Sequence, residues 1–341
     1  MAATIVDVAA RAGVSTATVS RVLSGAAAAR PATRERVLAA ARDLAYRPSG
    51  VARALQRSQT GTIGLLITDI ENPFYPQIVR AVEDEAHARG LGLLLCNAAD
   101  DPERELAYLD LLLDRRIDGL IVASGRAIRR HARRLAEAAM PVVLVNAATR
   151  TAGLSGITAD HRQGASMATA HLLAIGHRRI GHVTAPANQA AAARLRRAGV
   201  ADALGAARMD PGSLLVAEGD ERIAGGIRAT SMLLAAPQPP TGIVCYNDLT
   251  AIGALRAVDT AGLRCPEDVS VVGFDDIELA AWTDPGLTTI RQPTDEMGRW
   301  AVARLATTLL GLEAEGEAQL TLEPSLVVRG STAPPPDQGG T

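Results

Sequence analysis

No lysine occurs in these 341 residues, so all 35 basic side chains are arginine. Aromatic residues are almost as scarce: two Phe, two Trp and four Tyr make up 2% of the chain. A core built under that restriction must come from Ala, Val, Leu and Ile, and a single-strand nucleic-acid binder that stacks bases on a platform of rings is excluded. The three cysteines, Cys96, Cys245 and Cys265, are odd in number and scattered through apolar runs. They suggest neither a disulfide framework nor a metal-ligand spacing, and they fit a reducing compartment. No segment reaches the roughly 18 unbroken apolar residues of a membrane-spanning helix. The opening MAATIVDVAA lacks the basic region and long apolar stretch of an export signal. A cytoplasmic protein without a membrane partner is expected. There is also no Gly-rich phosphate loop with Lys, no nucleophile elbow and no dinucleotide fingerprint at the start of the α/β region. The adjacent pair Asp275-Asp276 is not the arrangement of two carboxylates set across a glycoside. No enzyme and no cofactor is expected.

What is present is a lopsided charge. Residues 1–57 hold nine Arg against Asp7, Glu35 and Asp43, a net +6, whereas the remainder holds 26 Arg against 34 acids, a net -8. A basic head on an acidic body suits a protein that docks one end on a polyanion and keeps the other end off it.

The basic segment reads as three short helices. Thr4 caps a first helix over IVDVAARA, with Asp7 placed to favour the helix dipole and Ile5, Val8, Ala9 and Ala12 on one face. Gly13 stops it. Ser15 then caps TATVSRVL, which ends near Ser24-Gly25. Two helices joined by a turn with Gly at its bend have helix-turn-helix geometry, which sets the second helix into the DNA major groove.

The run from Ile5 to Leu23, IVDVAARAGVSTATVSRVL, resembles the signature of the lactose-repressor and galactose-repressor family. So do Thr33-Arg34-Glu35-Arg36-Val37, Leu44-Ala45-Tyr46-Arg47-Pro48 and Val51-Ala52-Arg53-Ala54-Leu55, which match the family's third helix, exit turn and hinge helix in order. The resemblance implies that Thr16, Ala17 and Arg21 read base edges and that Thr18, Ser20 and Thr33 meet phosphates. Thr4, Ser15, Ser24 and Ala52 complete the expected DNA-binding set. Arg can make a bidentate contact to guanine, worth about 1–3 kcal/mol of discrimination, and Thr and Ala offer methyl contacts to thymine. The chain departs from the family where Arg30 replaces a capping Ser, a loss of about 1 kcal/mol that Pro31 partly offsets. Ser24 and Ser49 stand where Asn is common.

Pro48-Ser49-Gly50 breaks the third helix, and VARALQ is too short to be a stable helix in water. The resemblance implies that two such hinge segments, one per subunit, pair in the minor groove with Leu55 inserted as an apolar wedge, so that hinge order and DNA bending are coupled. The alternative is a linker whose Leu55 packs on the core.

From Thr60 strands alternate with helices, which argues for a parallel doubly wound sheet, and a second set begins near residue 161. The expected architecture is α/β: an all-α helix-turn-helix head over 1–48, a hinge over 49–59, and a two-lobed core over 60–330. The core resembles the periplasmic-binding-protein fold. Its first lobe is expected over about 60–160 with 291–319 and its second over about 161–290 with 320–330, with a disordered tail over 331–341.

Ligands of open α/β sheets bind beyond the carboxyl ends of the strands. That rule selects Asn247, after GIVCY, and Asp275, after SVVGF, with Arg196 early in a helix; the resemblance implies that these three hold effector hydroxyls. A carboxylate or guanidinium can bind two adjacent hydroxyls, which suits a sugar. Each acid alone would be an ordinary helix cap. Asp69, Phe74, Tyr75, Asn146 and Trp282 are the further effector candidates, although core packing explains either Phe74 or Trp282 as well. His171, His177 and His182 should fall on a helix, a turn and a strand, which do not converge on one tetrahedral metal site. Gly176 followed by His177-Arg178-Arg179 reads as a helix end. The tail STAPPPDQGGT carries no apolar heptad, so a C-terminal coiled coil is not expected.

The expected function is a dimeric transcriptional repressor on a palindromic double-stranded operator, its affinity governed by a small polar effector, a sugar or sugar derivative. The rival from another class is a solute-binding protein of the same core fold, which the head and the missing export signal oppose.

Overall fold

The computed structural model describes residues 3–23, 30–46, 60–114, 117–147, 151–186, 191–310, 312 and 318–336. They fall into two units, a head (residues 1–62 with 116–118) and a core (63–115 with 119–341).

In the head, α1 (Ile5–Ala12) begins at a capping box in which Thr4 and Asp7 exchange hydrogen bonds, and it ends at Gly13 with φ +64°. The left-handed turn is one that glycine adopts without steric cost. Helix α2 (Thr16–Leu23) starts where the Ser15 hydroxyl accepts from Thr18 N at 3.2 Å. Helix α3 (Pro31–Asp43) opens on Arg30, whose side chain makes no capping bond, with Pro31 in the first turn. Val8, Ala9, Ala12, Val19, Val22, Val37, Ala40 and Ala41 close the small core between the three helices.

The core consists of two sheets. The first lobe runs β1 (Thr62–Ile67), α4 (Phe74–Ala88), β2 (Gly92–Asn97), α5 (Pro102–Asp114), β3 (Gly119–Ala123), α6 (Gly125–Ala136), β4 (Val142–Val145) and β5 (Ser155–Ala159). The second runs α7 (His161–Ala174), β6 (Ile180–Thr184), α8 (Ala191–Ala206), β7 (Leu215–Glu218), α9 (Ile223–Leu234), β8 (Gly242–Cys245), α10 (Asp248–Thr260), β9 (Ser270–Asp275) and β10 (Thr288–Arg291). The chain closes with α11 (Thr294–Leu309), β11 (Gln319–Leu322) and β12 (Ser325–Val327). Strand orders are β11-β5-β4-β3-β1-β2 and β12-β10-β9-β8-β6-β7. Strands β3, β6 and β8 are buried along their whole length, the pattern of parallel strands covered by helices on both faces.

Three details differ from the sequence expectation. Residues 320–322, expected in the second lobe, pair with Ile157–Ala159 of the first sheet, so the last passage between sheets lies at 323–324. Strand β12 runs antiparallel to β10 at the edge of an otherwise parallel ladder. The tail begins as ordered structure: Ser331 is buried, its hydroxyl donates to Val271 O at 2.6 Å and it accepts from Thr288 N at 2.8 Å. His171 and His177 hold the next two residues, through Thr332 Oγ1 at 2.9 Å and Ala333 O at 3.0 Å. Short hydroxyl side chains supply partners for buried polar atoms, which composition alone did not reveal. His182 points elsewhere, its Nδ1–H donating to Val244 O at 2.9 Å. Gly176 ends α7 with φ +110°, and Arg178 donates to the helix-end carbonyl of Leu173 at 3.0 Å. Among the described residues no helix is long and apolar enough to cross a membrane.

Candidate functional site

The head presents one face of α2. Val19 and Val22 are buried in the three-helix core, so Thr16 and Ala17, with Arg21 one turn further on, are left exposed. Arg21 Nε donates to Ala17 O at 3.3 Å, which lays the guanidinium along the helix toward its N-terminal turn. Thr18, Ser20 and Thr33 are half-buried at the margin. Ser15 and Thr18 hydroxyls lie 3.0 Å apart, and Thr4 spends its hydroxyl on Asp7. Ser24, Ala52 and Leu55 lie outside the described residues.

In the core, a cavity of about 220 Å³ is lined by Thr68, Tyr75, Asp100, Arg129, Asn146 and Thr158 of the first lobe. His161, Leu195, Glu221 and Tyr246 of the second lobe face them across it. Each of these side chains sits just past a strand or in the first turns of the following helix, or, like Thr158, at a strand's last residues. The cavity therefore lies beyond the carboxyl ends of both sheets, where helix N-termini converge. In a chain with eight aromatic residues, four gather here: Tyr75 and Tyr246 in the wall, Phe74 and Phe274 immediately behind it.

Arg196 organises the second-lobe wall from behind. It is 4% exposed, with its guanidinium carbon 3.6 Å from the Phe274 ring centre and 4.5 Å from that of Tyr246. One Nη donates to Tyr246 O; the other reaches His161 Nδ1 at 3.4 Å and Asp275 Oδ1 at 3.5 Å. Gly199, one turn on along α8, makes this placement possible: a Cβ there would lie 2.0 Å from Arg162 O, so only glycine lets α8 settle against the first turn of α7. Burial, together with the Arg196 charge, keeps the His161 imidazole well below its usual range, so it is neutral at physiological pH. Burial pushes Asp275 up, against the pull of Arg196. The Asp275 backbone is in the left-handed region at φ +122°, and its Oδ1 accepts from Gln292 Nε2 at 2.7 Å. Asp248 is also raised by burial, its two oxygens accepting from Thr289 Oγ1 at 2.5 Å and Ile277 N at 2.8 Å.

Of the sequence-selected effector residues, Tyr75 and Asn146 line the cavity. Arg196 and Asp275 stand behind the wall, paired with one another. Asn247 caps α10, accepting from Thr250 N at 2.9 Å and donating to Glu221 O at 3.0 Å, so both ends of its amide are engaged by backbone. Phe74 is a core residue, edge-on to Tyr75 at 5.4 Å. Asp69 bonds Arg222 at 2.5 Å across the lobes, in a crevice beside the cavity. Trp282, 78% exposed at the end of a 3-10 turn, is no part of the wall, because its short turn leads away to the surface. Sequence reasoning missed Thr68, Asp100, Arg129, Thr158, His161, Glu221 and Tyr246. The signal was available: each follows the carboxyl-end rule, applied to only some of the strands.

Residues 4–49 match the family described as bacterial regulatory proteins, lacI family, and residues 169–332 match the periplasmic binding protein-like domain. The chain is 35% identical over 343 aligned positions to the transcriptional repressor CytR of Escherichia coli K12, covering 97% of this chain and 96% of that protein. The solved lac repressor dimer bound to operator and the anti-inducer ONPF is 32% identical, with TM-score 0.86, over 98% of this chain and 100% of that one. A LacI-family regulator from Enterococcus faecium with bound ribose is 30% identical, with TM-score 0.72, over 80% of this chain and 99% of that one. With a relative of this identity spanning almost its full length, the chain belongs to the lacI family of bacterial regulatory proteins.

Proposed function

We propose that the chain is a transcriptional repressor that binds a palindromic operator as a dimer and whose operator affinity is set by a small polar effector, a sugar or sugar derivative, in the cavity between the core lobes. The observation that carries this is the pairing, in one chain, of an exposed α2 face bearing Thr16, Ala17 and Arg21 with a cavity drawn from the strand ends of both lobes. The reading is regulatory, without an enzymatic step.

Within it, Thr16, Ala17 and Arg21 read base edges, and Thr18, Ser20 and Thr33 position the head on phosphates, with Thr4 and Ser15 supporting them through the helix caps. Ser24, Ala52 and the wedge Leu55 are assigned by the family resemblance. In the core, Tyr75, Asn146, His161 and Tyr246 face the effector. Arg196, Asp275 and Asn247 act through them, by fixing His161, Tyr246 and the Glu221 loop. An effector that prefers one arrangement of the lobes weakens or strengthens operator binding by the same factor by which operator changes effector binding.

Titration of the dimer against palindromic and random duplexes at several salt concentrations tests this. Specific binding should exceed random binding by at least about a thousandfold, with a steep salt dependence for both. Equal affinity for all duplexes would sink the repressor assignment.

A further inference from the structure

The two lobes are joined by three short passages: residue 160 between β5 and α7, residues 292–293 between β10 and α11, and residues 323–324 between β11 and β12. Strands β11 and β5 form one edge of the first sheet and β12 and β10 form one edge of the second, so all three passages lie on the same side of the core. That side is the hinge. Opening about it separates the lobes most at the opposite edges, those of β1 and β2 in the first sheet and of β6 and β7 in the second. A bond placed there has the greatest leverage against opening.

That side carries an ion pair between the lobes. Asp69 and Glu71 follow β1, and Arg222 follows β7 and stands just before α9. The two Nη atoms of Arg222 are divided between Asp69 Oδ2 at 2.5 Å and Glu71 Oε2 at 3.1 Å, partners 153 and 151 residues away. Both ends are fixed by their own loops. Asp69 is 8% exposed, and its Oδ1 accepts from Glu71 N at 3.1 Å, which leaves Oδ2 for the second lobe; Ile70 N donates to Asn97 Oδ1 at 3.0 Å. On the facing loop, Asp220 accepts from Arg222 N at 3.1 Å and from Arg228 at 2.7 Å, and Asn247 donates to Glu221 O at 3.0 Å. A pair held in place by hydrogen-bonded turns and partly shielded from water keeps more of its attraction than two free surface side chains do.

We infer that Arg222 is a clasp that holds the lobes together on the side away from the hinge when no ligand is bound, with Asp69 as its anchor and the more exposed Glu71 as an auxiliary. The clasp itself stands on this geometry. Its regulatory consequence rests on the function proposed above: it sets how readily the empty core opens, and so biases the balance of lobe arrangements between which effector and operator choose.

The test is the distance across the cleft in the ligand-free, full-length protein. Nitroxides are placed at Glu103→Cys on α5 and Ala206→Cys on α8, both exposed, in one subunit of the dimer, and the half-buried thiol is removed by Cys265→Ser. In pulsed electron-electron resonance, Arg222→Ala and Asp69→Asn should each raise the population of long distances on the order of fivefold, and Glu71→Gln less than about twofold. Arg222→Lys, which keeps the charge without the fork, should fall between wild type and Arg222→Ala. Salt at about 1 M should lengthen the wild-type distances and leave those of Arg222→Ala where they are. Distances that neither Arg222→Ala nor salt moves overturn the clasp, and the salt measurement decides alone if a variant fails to fold. Operator affinity of the same variants separates the two readings. Distances and affinity that shift together support both; distances that lengthen at unchanged operator affinity leave the clasp standing and overturn control of the operator by lobe arrangement.

Discussion

The α2 face of the head and the cavity wall of the core are the two proposed recognition surfaces, and they are built on opposite principles. Thr16, Ala17 and Arg21 are exposed, and Arg21 leans on its own helix, through Ala17 O. His161 and Tyr246 are buried and held by Arg196, which is held in turn by Phe274 and Asp275. On the head, folding and the proposed reading are separable, since the valines fold the helix and leave the other face exposed. In the core they are not, because the groups that shape the cavity are also core packing. Substitutions in the two regions should therefore fail in different ways.

The largest effect is expected at Arg196. Its removal leaves Asp275 buried without its cation and opens space between Tyr246 and Phe274, a combination that costs about 3–5 kcal/mol. Arg196→Ala should lower the core's unfolding midpoint in urea and abolish the effector response together, while the isolated recognition chemistry of the head is unchanged. A variant that lost effector response at wild-type stability would show that Arg196 touches the ligand directly, erasing the contrast. Next comes Arg21→Ala, expected to lose about 1–3 kcal/mol of discrimination at one base pair of each half-site. Its urea midpoint should match the wild type within error, and a measurable loss of stability would mean that the head, too, couples reading to folding.

Protonation separates the regions further, because both histidines concerned lie in the core. Burial depresses His161 and takes His182 down to about 4, in each case with desolvation as the leading cause. The unfolded chain takes up protons near 6.5 while the fold refuses them, so each ring contributes stability that is full above 6.5 and is lost as pH falls below it, down to about 4 for His182. The slope is about 1.4 kcal/mol per pH unit for each ring in that window. Because the raised Asp275 and Asp248 change stability in the opposite direction over the same range, the check is the difference in urea unfolding between the wild type and the His161→Gln and His182→Gln variants at pH 7.5, 6 and 5; a difference that does not change with pH would mean that the ring replaced is not sequestered as described.

The same contrast explains what could be read from the sequence. The head was legible nearly residue by residue: the Thr4 cap, the Gly13 stop, the Ser15 cap and the buried Val8, Ala9 and Ala12 follow from local spacing, and local spacing is enough for three short helices. The core's two sheets were legible from apolar runs such as GLIVA, but the strand SGITA is short with one large apolar side chain, and the helix Gly125–Ala136 is arginine-rich with its apolar face confined to residues such as Ala127, Ile128 and Leu135, so both escaped it. At the site, Asn247, Asp275 and Arg196 were selected by position, but that Gln292 and Arg196 pair with Asp275 was not legible, because they reach it through the fold, from 17 and 79 residues away. Trp282 was raised as a candidate partly for being rare, and rarity says nothing about which way a turn faces.

The smallest expected change lies in the head and tests whether its folding is as local as the comparison claims. Arg30 stands at the start of α3 with no capping hydrogen bond, beside a Pro31 that already removes one donor from the first turn. A serine there could accept from the backbone N–H of Thr33 or its neighbour, a gain of about 1 kcal/mol less what the proline has already recovered. Arg30→Ser should thus raise the head's thermal midpoint slightly and leave the core's transition where it is. Because Arg30 belongs to the basic head, the same substitution removes one positive charge, and non-specific DNA affinity should fall modestly with a shallower salt dependence. A gain in stability with no change in salt slope would place Arg30 off the DNA. A loss of stability would show that its guanidinium, and not a missing cap, is what the start of α3 relies on.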